Sequence, residues 1–241
     1  MQKISVGIAR SIWLFDTNDL NPTGKSLFPD MMLWLGEKYK FQTFPKSIAD
    51  VDPEKKGFLF KFGEFQSNEG AIAVNFSFFN DGIVAETWRS TEHGDAFLED
   101  VLHSAVIKYG LVYQPQMIRT KQYISELVVS LDNSLATINP KITGFCETLS
   151  RIFSRHNLPP FEMTGMIFSP DVTATSYKPP GLLLERKAEA PFAANRFWSK
   201  APFTTNDHLL ALEEFDRMLG GASSHIQVQL IQHDRQVRVT D

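Results

Sequence analysis

Apolar residues recur at intervals of three and four positions in four segments of the chain, which is the pattern of amphipathic helices. Gly110 follows one of these segments and favours the left-handed backbone conformation that ends a helix. Pro140 precedes another segment, where proline can begin a helix but not continue one. Thr204 or Thr205 is the expected start of the last segment, which ends at two glycines. The pattern predicts helices at residues 29–39, 97–109, 140–153 and 204–219.

Elsewhere the apolar positions alternate with other residues, which is typical of strands with one buried face. Ile72, Val74 and Phe76 share such a face, and the Asn-Asp-Gly sequence at 80–82 favours a hairpin turn into the next strand. A long segment at 190–202 is expected to be a loop. The alternation predicts strands at residues 58–62, 72–78, 83–88, 123–131, 182–184 and 226–230, and a further strand is expected to end at Asp171.

The predicted elements follow one another as helix, three strands, helix and strand, and this order then occurs a second time. We therefore expect an α+β fold in which mixed or antiparallel sheets have helices packed on one side. Residues 81–86 and 180–185 each form a turn and an apolar strand that ends in glutamate, which favours an internally duplicated α-βββ-α-β unit. The expected halves are residues 1–135 and 136–241, packed as one compact domain.

The composition is that of a globular protein, with 43% hydrophobic residues and a net charge of −4, which argues against a globally basic nucleic-acid-binding surface. Phenylalanine is abundant, with 20 residues against 5 tyrosines, and its rings are expected in a core or a protein interface. A single cysteine, Cys146, excludes an intramolecular disulfide and fits a reducing compartment; we expect it to be a small buried apolar residue. Without a long apolar segment or a secretory signal, a soluble cytoplasmic protein is expected.

One set of charged residues has the spacing of a catalytic site. Pro170-Asp171 followed by Glu185-Arg186-Lys187 resembles the signature of the PD-(D/E)xK nuclease superfamily. The resemblance implies that Asp171 and Glu185 bind Mg²⁺ or Mn²⁺, while Lys187 positions or activates the attacking water. Such a protein would be a metal-dependent phosphodiesterase acting on nucleic acid.

Other candidate catalytic groups lack partners in the sequence. Ser199 is not part of a Gly-x-Ser-x-Gly nucleophile elbow. His208 falls at the start of the apolar face of the last helix, where we expect a hydrogen-bonded core histidine. The six histidines have no spacing typical of a metal site.

Two segments have the composition of protein interfaces. The first combines aromatic residues with arginine in the predicted loop 190–202, as interface hot spots do. The second is the alternating C-terminal stretch, which could complete the internal sheet or pair as an added strand with another chain. The candidate interface residues are Phe192, Arg196, Phe197, Trp198, Arg235, Val237, Arg238 and Val239.

We therefore expect a non-enzymatic protein-interaction subunit or accessory factor of a larger assembly, without a cofactor, that binds a protein partner or associates with itself. The phenylalanine-rich composition and the two candidate interface segments support this hypothesis. One alternative is the Mg²⁺- or Mn²⁺-dependent nuclease, and another is a sensor that binds a small ligand between the two halves.

Overall fold

The computed structural model describes residues 1–24, 28–50, 57–171, 173 and 180–221. Among them, the strands are β1 (Gln2–Leu14), β2 (Phe58–Ser67), β3 (Gly70–Phe79), β4 (Gly82–Thr87), β5 (Thr120–Ser130), β6 (Gly165–Phe168), β7 (Leu182–Arg186) and β8 (Arg196–Ala201). The α-helices are α1 (Phe28–Lys38), α2 (Thr91–Tyr109), α3 (Pro140–Phe153) and α4 (Thr205–Leu219). The predicted strand at 226–230 lies outside the described residues.

All eight strands belong to one antiparallel sheet with the order β2-β3-β4-β1-β5-β8-β7-β6. The predicted α+β class is confirmed, and of the two expected sheet types the antiparallel one is present. β1 and β5 lie at the centre, where Arg10 is opposite Ile124 in their shared register. The outermost strands are therefore β2 at one edge and β6 at the other.

Two strands escaped the sequence prediction, β1 and β8, whereas β6 ends three residues before Asp171, where a strand end is expected. The expected loop at 190–202 is wrong, because β8 occupies Arg196–Ala201 and pairs with both β5 and β7. β1 has isoleucines on the face opposite buried Ala9 and Trp13, so its apolar residues do not alternate cleanly. A central strand with apolar residues on both faces has no clear period of two.

The four predicted helices are confirmed, and their ends follow from capping residues. Ser90 caps α2, which ends at Gly110 with a left-handed φ of 64°. Asn139 and Thr204 accept hydrogen bonds from backbone amides in the first turns of α3 and α4. No helix in the described ranges is both long enough and apolar enough to cross a lipid bilayer.

The N-terminal half has a core rich in aromatic rings. Phe97 of α2 is fully buried, and its ring centroid lies 4.9 Å from that of Tyr39 and 5.8 Å from that of Phe76. Met32 and Leu35 bury the inner side of α1 in the same cluster. This packing accounts for much of the phenylalanine in this half of the chain.

A second, smaller core lies in the C-terminal half. α4 contributes Leu212 to it, whereas α3 contributes no buried residue at all. Its buried members are Leu127, Val129, Leu131, Leu135, Leu184, Phe197 and Leu212. The two helices of this half are therefore packed very differently, and this difference locates the candidate functional surface.

Candidate interaction surface

The three residues of the nuclease motif lie in and beside the β6–β7 hairpin. Asp171 is exposed in the loop after β6, where its carboxylate accepts the Thr173 hydroxyl at 2.6 Å and the Thr173 amide at 2.9 Å. These two hydrogen bonds lower the pKa of Asp171. Glu185 is an exposed residue of β7, and Lys187 is exposed just after this strand ends.

The register of the hairpin gives the nuclease hypothesis no support. Glu185 is opposite Gly165, whereas Phe168, from which the chain continues to Asp171, is opposite Leu182. Three residues of strand separate Glu185 from Leu182, about 10 Å. The described part of the chain holds no group of three or more His, Cys, Asp or Glu side chains that could bind a metal ion.

The predicted interface residues at 192–198 divide between two environments. Phe192 is exposed, and its ring stacks on the Arg186 guanidinium, whose carbon lies 4.4 Å from the ring centroid. Arg196 is exposed and Trp198 half-buried in β8, on the face opposite Phe197. Phe197 is fully buried in the C-terminal core, so its assignment to an interface is wrong. Arg235, Val237, Arg238 and Val239 lie outside the described residues.

Ser199 and His208 form a buried pair between β8 and α4. The Ser199 hydroxyl donates to the Leu183 carbonyl at 2.8 Å and lies 2.8 Å from His208 Nε2. Burial lowers the pKa of His208 to about 4, so its imidazole is neutral at pH 7. Both side chains are fully buried, which confirms the predicted core histidine and leaves Ser199 no access to a substrate.

An uncovered row of apolar side chains runs along α3. It consists of Ile142, Phe145, Leu149 and Ile152, which we call the α3 stripe. Phe145 is 60% exposed, Ile152 56% and Ile142 38%, and Leu149 is half-buried. The spacing of three, four and three residues places them on one side of the helix, as in helices that pack against another helix.

α3 contacts the rest of the molecule through small polar residues and through its last residue, Phe153, whose ring centroid lies 5.3 Å from that of Phe161. The Thr143 hydroxyl donates to the Ala136 carbonyl at 2.9 Å, and the Ser150 oxygen accepts the Phe161 amide at 2.8 Å. These residues lie more than about 90° around the helix from the centre of the α3 stripe. Cys146, which we expected to be buried, is half-exposed beside them. The apolar side of α3 is therefore turned away from the core.

Exposed basic residues lie on α3 and in the turn that follows it. Lys141, Arg151 and Arg155 are all exposed. None of them takes part in an ion pair with another described residue. Glu147, the acidic residue of this helix, faces a cavity on the other side. Lys141 lies about 60° around the helix from the centre of the α3 stripe, and Arg151 lies about 140° from it. Of the two basic residues of this helix, Lys141 is therefore the one that borders the stripe.

Further apolar side chains are uncovered at the same end of the sheet. β6 is an edge strand, and its Ile167 is 70% exposed. A groove of about 270 Å³ lies between α4 and this hairpin, lined by Phe168, Leu182, Phe215 and Met218 among others. Uncovered apolar surface is therefore a property of the C-terminal half and not of α3 alone.

The cavity beneath α3 contains a buried arginine. It has a volume of about 310 Å³, and Arg186, whose side chain is only 8% exposed, lines it together with apolar residues. The other polar residues of the lining are Thr143, Ser150 and the exposed Glu147 and Glu162. The guanidinium Nη1 donates to the Phe192 carbonyl and Nη2 donates to Glu162, each at 3.0 Å. Its buried Nε has no hydrogen-bond partner among the described residues. Nε is therefore the one nitrogen of this guanidinium without a described partner.

Neither feature was recognised from the sequence. The stripe of α3 was interpreted as a core face, because a core face and a docking face have the same helical spacing. For Arg186 a signal existed: alternation with Leu182 and Leu184 places it on the inward face of β7, where arginine is rare unless it is paired.

The sequence of the chain was compared with protein-family models and with curated proteins. No protein-family model matches the chain, and no curated protein matches it in sequence. The function is therefore argued from the geometry of the chain itself.

Proposed function

We propose that this protein is a non-enzymatic subunit of a larger assembly that binds an amphipathic, acidic helix of another protein. The binding surface is the α3 stripe. One observation carries the proposal: α3 exposes most of its apolar side, next to Lys141, which forms no ion pair with a described residue, while polar residues of α3 make its hydrogen bonds to the rest of the molecule. Helices with apolar anchors at this spacing are a recurring form of protein recognition.

We also infer that the chain is a tandem duplication. Its support is the element order, strand-helix-three strands-helix, which holds for β1 to α2 and again for β5 to α4. Outward from the central pair, both halves have their strands in the order first, fourth, third and second. In this frame the unit begins with a strand, and the boundary falls between Gly110 and Thr120 instead of at residue 135. β4 then corresponds to β8, and residues 81–86 do not correspond to 180–185.

Contacts between the helices support their packing on one side of the sheet. α2 lies over β1, since Trp13 Nε1 donates to Asp95 at 2.8 Å. The first residues of α2 and α4 bind each other: the Thr91 amide donates to the Thr205 hydroxyl oxygen at 3.0 Å, and the Thr205 amide donates to that of Thr91 at 2.7 Å. This reciprocal pair is also what a twofold relation between the halves would produce.

In the proposed duplication α1 is the counterpart of α3, so the burial of the two helices can be compared. In α1, Met32 and Leu35 are buried against the sheet, whereas no residue of α3 is buried. The C-terminal half therefore keeps an apolar helix face that its counterpart covers. Burying such half-exposed side chains contributes on the order of 1 kcal/mol each, so a partner that covers the α3 stripe gains several kcal/mol.

The charges around the stripe favour a different protein over a second copy of this chain. Two α3 helices packed in parallel along their stripes would bring Lys141 near the same residue of the other copy. Like charges across an interface disfavour association, while acidic residues on the partner would favour it. The partner is therefore expected to present apolar residues bordered by Asp or Glu.

A synthetic peptide tests this surface directly. The probe is a helical peptide of about 20 residues with Leu at the heptad a and d positions and Glu at the flanking positions; its matched control has Lys in place of Glu. We expect the Glu peptide to bind with a dissociation constant on the order of 10 µM and the Lys peptide at least about tenfold more weakly. Fluorescence anisotropy measures both, with circular dichroism to confirm folding.

Substitutions then locate the binding. Phe145→Asp is expected to weaken binding of the Glu peptide at least about tenfold, since a charge would replace the most exposed apolar anchor. Ile107→Asp is the matched control, because Ile107 is 87% exposed on α2, away from the stripe. Equal binding of both peptides, equal loss in both variants, or no binding would refute the proposal. So would a solution mass of twice 27.3 kDa that depends on Phe145.

A further inference from the structure

We propose that the cavity beneath α3 binds a small amphipathic carboxylate, whose carboxylate group completes the hydrogen bonding of Arg186. This inference does not depend on the proposed partner helix. The cavity of about 310 Å³ is about twice the 150 Å³ at which an apolar protein cavity holds a benzene molecule. It therefore has room for a ligand of roughly ten non-hydrogen atoms.

The other arginine–carboxylate pairs of this protein show what Arg186 lacks. In Arg10 both Nε and Nη2 donate to Glu86, and in Arg217 the same two nitrogens donate to Glu214. This side of a guanidinium forms a fork that fits a carboxylate. In Arg186 only Nη2 is used, by Glu162, and the buried Nε has no described partner. Only one of the two nitrogens of this fork therefore has a described acceptor.

Neighbouring groups hold the Arg186 guanidinium in a fixed orientation. It lies near two aromatic rings, 4.4 Å from the centroid of Phe192 and 5.2 Å from that of Phe197. Its Nη1 is fixed by the Phe192 carbonyl on the side away from the fork. Because the group is already immobilised, a ligand would lose little side-chain entropy in binding to it.

Glu162 is a weak competitor for the same position. Its side chain is 46% exposed, and a partly solvated ion pair of this kind contributes little to stability. A ligand carboxylate that enters the cavity can bind Nε and Nη2 together, while Glu162 turns to water. The fork thus selects an anionic, planar head group.

The rest of the lining selects an apolar tail. Leu135, Ile142, Phe161 and Met163 provide most of the walls. The hydroxyls of Thr143 and Ser150 already have backbone partners. A chain of seven carbons behind the carboxylate suits this volume, and octanoate is the corresponding probe.

Isothermal titration of the full chain with octanoate tests the site, with 1-octanol as the matched ligand that lacks the carboxylate. We expect saturable binding of octanoate with a dissociation constant on the order of 1 mM or tighter, and binding of octanol at least about tenfold weaker. Cys146→Phe fills the cavity from α3 and is expected to remove binding of octanoate. Arg186→Lys keeps the charge but loses the fork, and a loss of at least about tenfold is expected.

Glu162→Gln gives the decisive result, because the expected effect is a gain. Removing the competing carboxylate should tighten octanoate binding several-fold, and this exposed substitution does not disturb the core. The variant keeps the test valid even if Arg186→Lys fails to fold. No saturable binding, equal affinity for octanol, or weaker binding by Glu162→Gln would overturn the proposal.

Discussion

The stability of this protein should depend on a single buried histidine at mildly acidic pH. His208 is fully buried between α4 and β8, with its Nε2 2.8 Å from the Ser199 hydroxyl. Burial disfavours the charged imidazolium and lowers the pKa of His208 to about 4 from 6.5. In the unfolded chain the same side chain takes up a proton near pH 6.5.

The sign and size of the effect follow from this difference. Between pH 6.5 and about 4 the unfolded state binds a proton at His208 that the folded state does not, so the free energy of unfolding falls as the pH falls. The slope approaches about 1.4 kcal/mol per pH unit, and the full loss is about 3 kcal/mol below pH 4. Above pH 7.5 there is no effect. Such a loss is a large fraction of the 5–15 kcal/mol typical of a folded domain.

Urea unfolding at several pH values between 7.5 and 4 measures this effect, with His208→Gln as the comparison. The test is the difference in slope, which is independent of any stability difference at pH 7.5: wild type should lose about 3 kcal/mol more than His208→Gln over this range. Other titrating groups are common to both proteins and cancel. His103→Gln, at an exposed site on α2, should behave as wild type. Parallel curves for wild type and His208→Gln would refute the reasoning.

Two further substitutions test the joints between the halves and within the C-terminal half. Thr91→Val should destabilise the protein by about 1–3 kcal/mol, because the buried Thr205 amide loses its acceptor. Thr91→Ser keeps the hydroxyl and should retain most of the stability. A double-mutant cycle with Thr205→Val that shows no coupling would contradict this. Burial raises the pKa of Asp216, but hydrogen bonds led by that from the Asp132 amide hold it below its usual value. The stabilisation from Asp216 is therefore complete above its unfolded-state pKa of about 4 and lost as the pH falls through the lowered pKa of the folded state, so the stability gap to Asp216→Asn should narrow as the pH falls below about 4 in urea unfolding experiments.

Much of the fold was predictable because local chemistry determines it. Pro140 marks the start of α3 and Gly110 the end of α2, because of their own backbone preferences. The strand with Val74 and Phe76 has one clearly apolar face. β1 was not predictable in this way, since a strand at the centre of the sheet has apolar residues on both faces. Without β1 the predicted unit begins with a helix, whereas the unit of the proposed duplication begins with a strand.

The candidate site was less predictable, for a different physical reason. Helical spacing identifies which residues of α3 share a side, but the rotation of the helix about its axis depends on tertiary contacts such as those of Thr143 and Ser150. Phe197 and Trp198 show the same limitation in a strand. Because β8 was not predicted as a strand, the burial of Phe197 and the accessibility of Trp198 on its other face could not be predicted either. The missing acceptor of Arg186 Nε can be recognised only from three-dimensional distances, which the sequence does not contain.

The α3 stripe differs in kind from the other exposed apolar residues of this protein. Ile107 is more exposed than any member of the stripe, yet it is alone on its side of α2, and single exposed apolar residues are normal at protein surfaces. Phe145 and Ile152 lie two turns apart on one side of one helix with Leu149 between them, and contiguous apolar patches mark interaction sites. A helix that faced only water would gain nothing from this regular spacing. The spacing is therefore the strongest argument that the surface of α3 is covered when the protein functions.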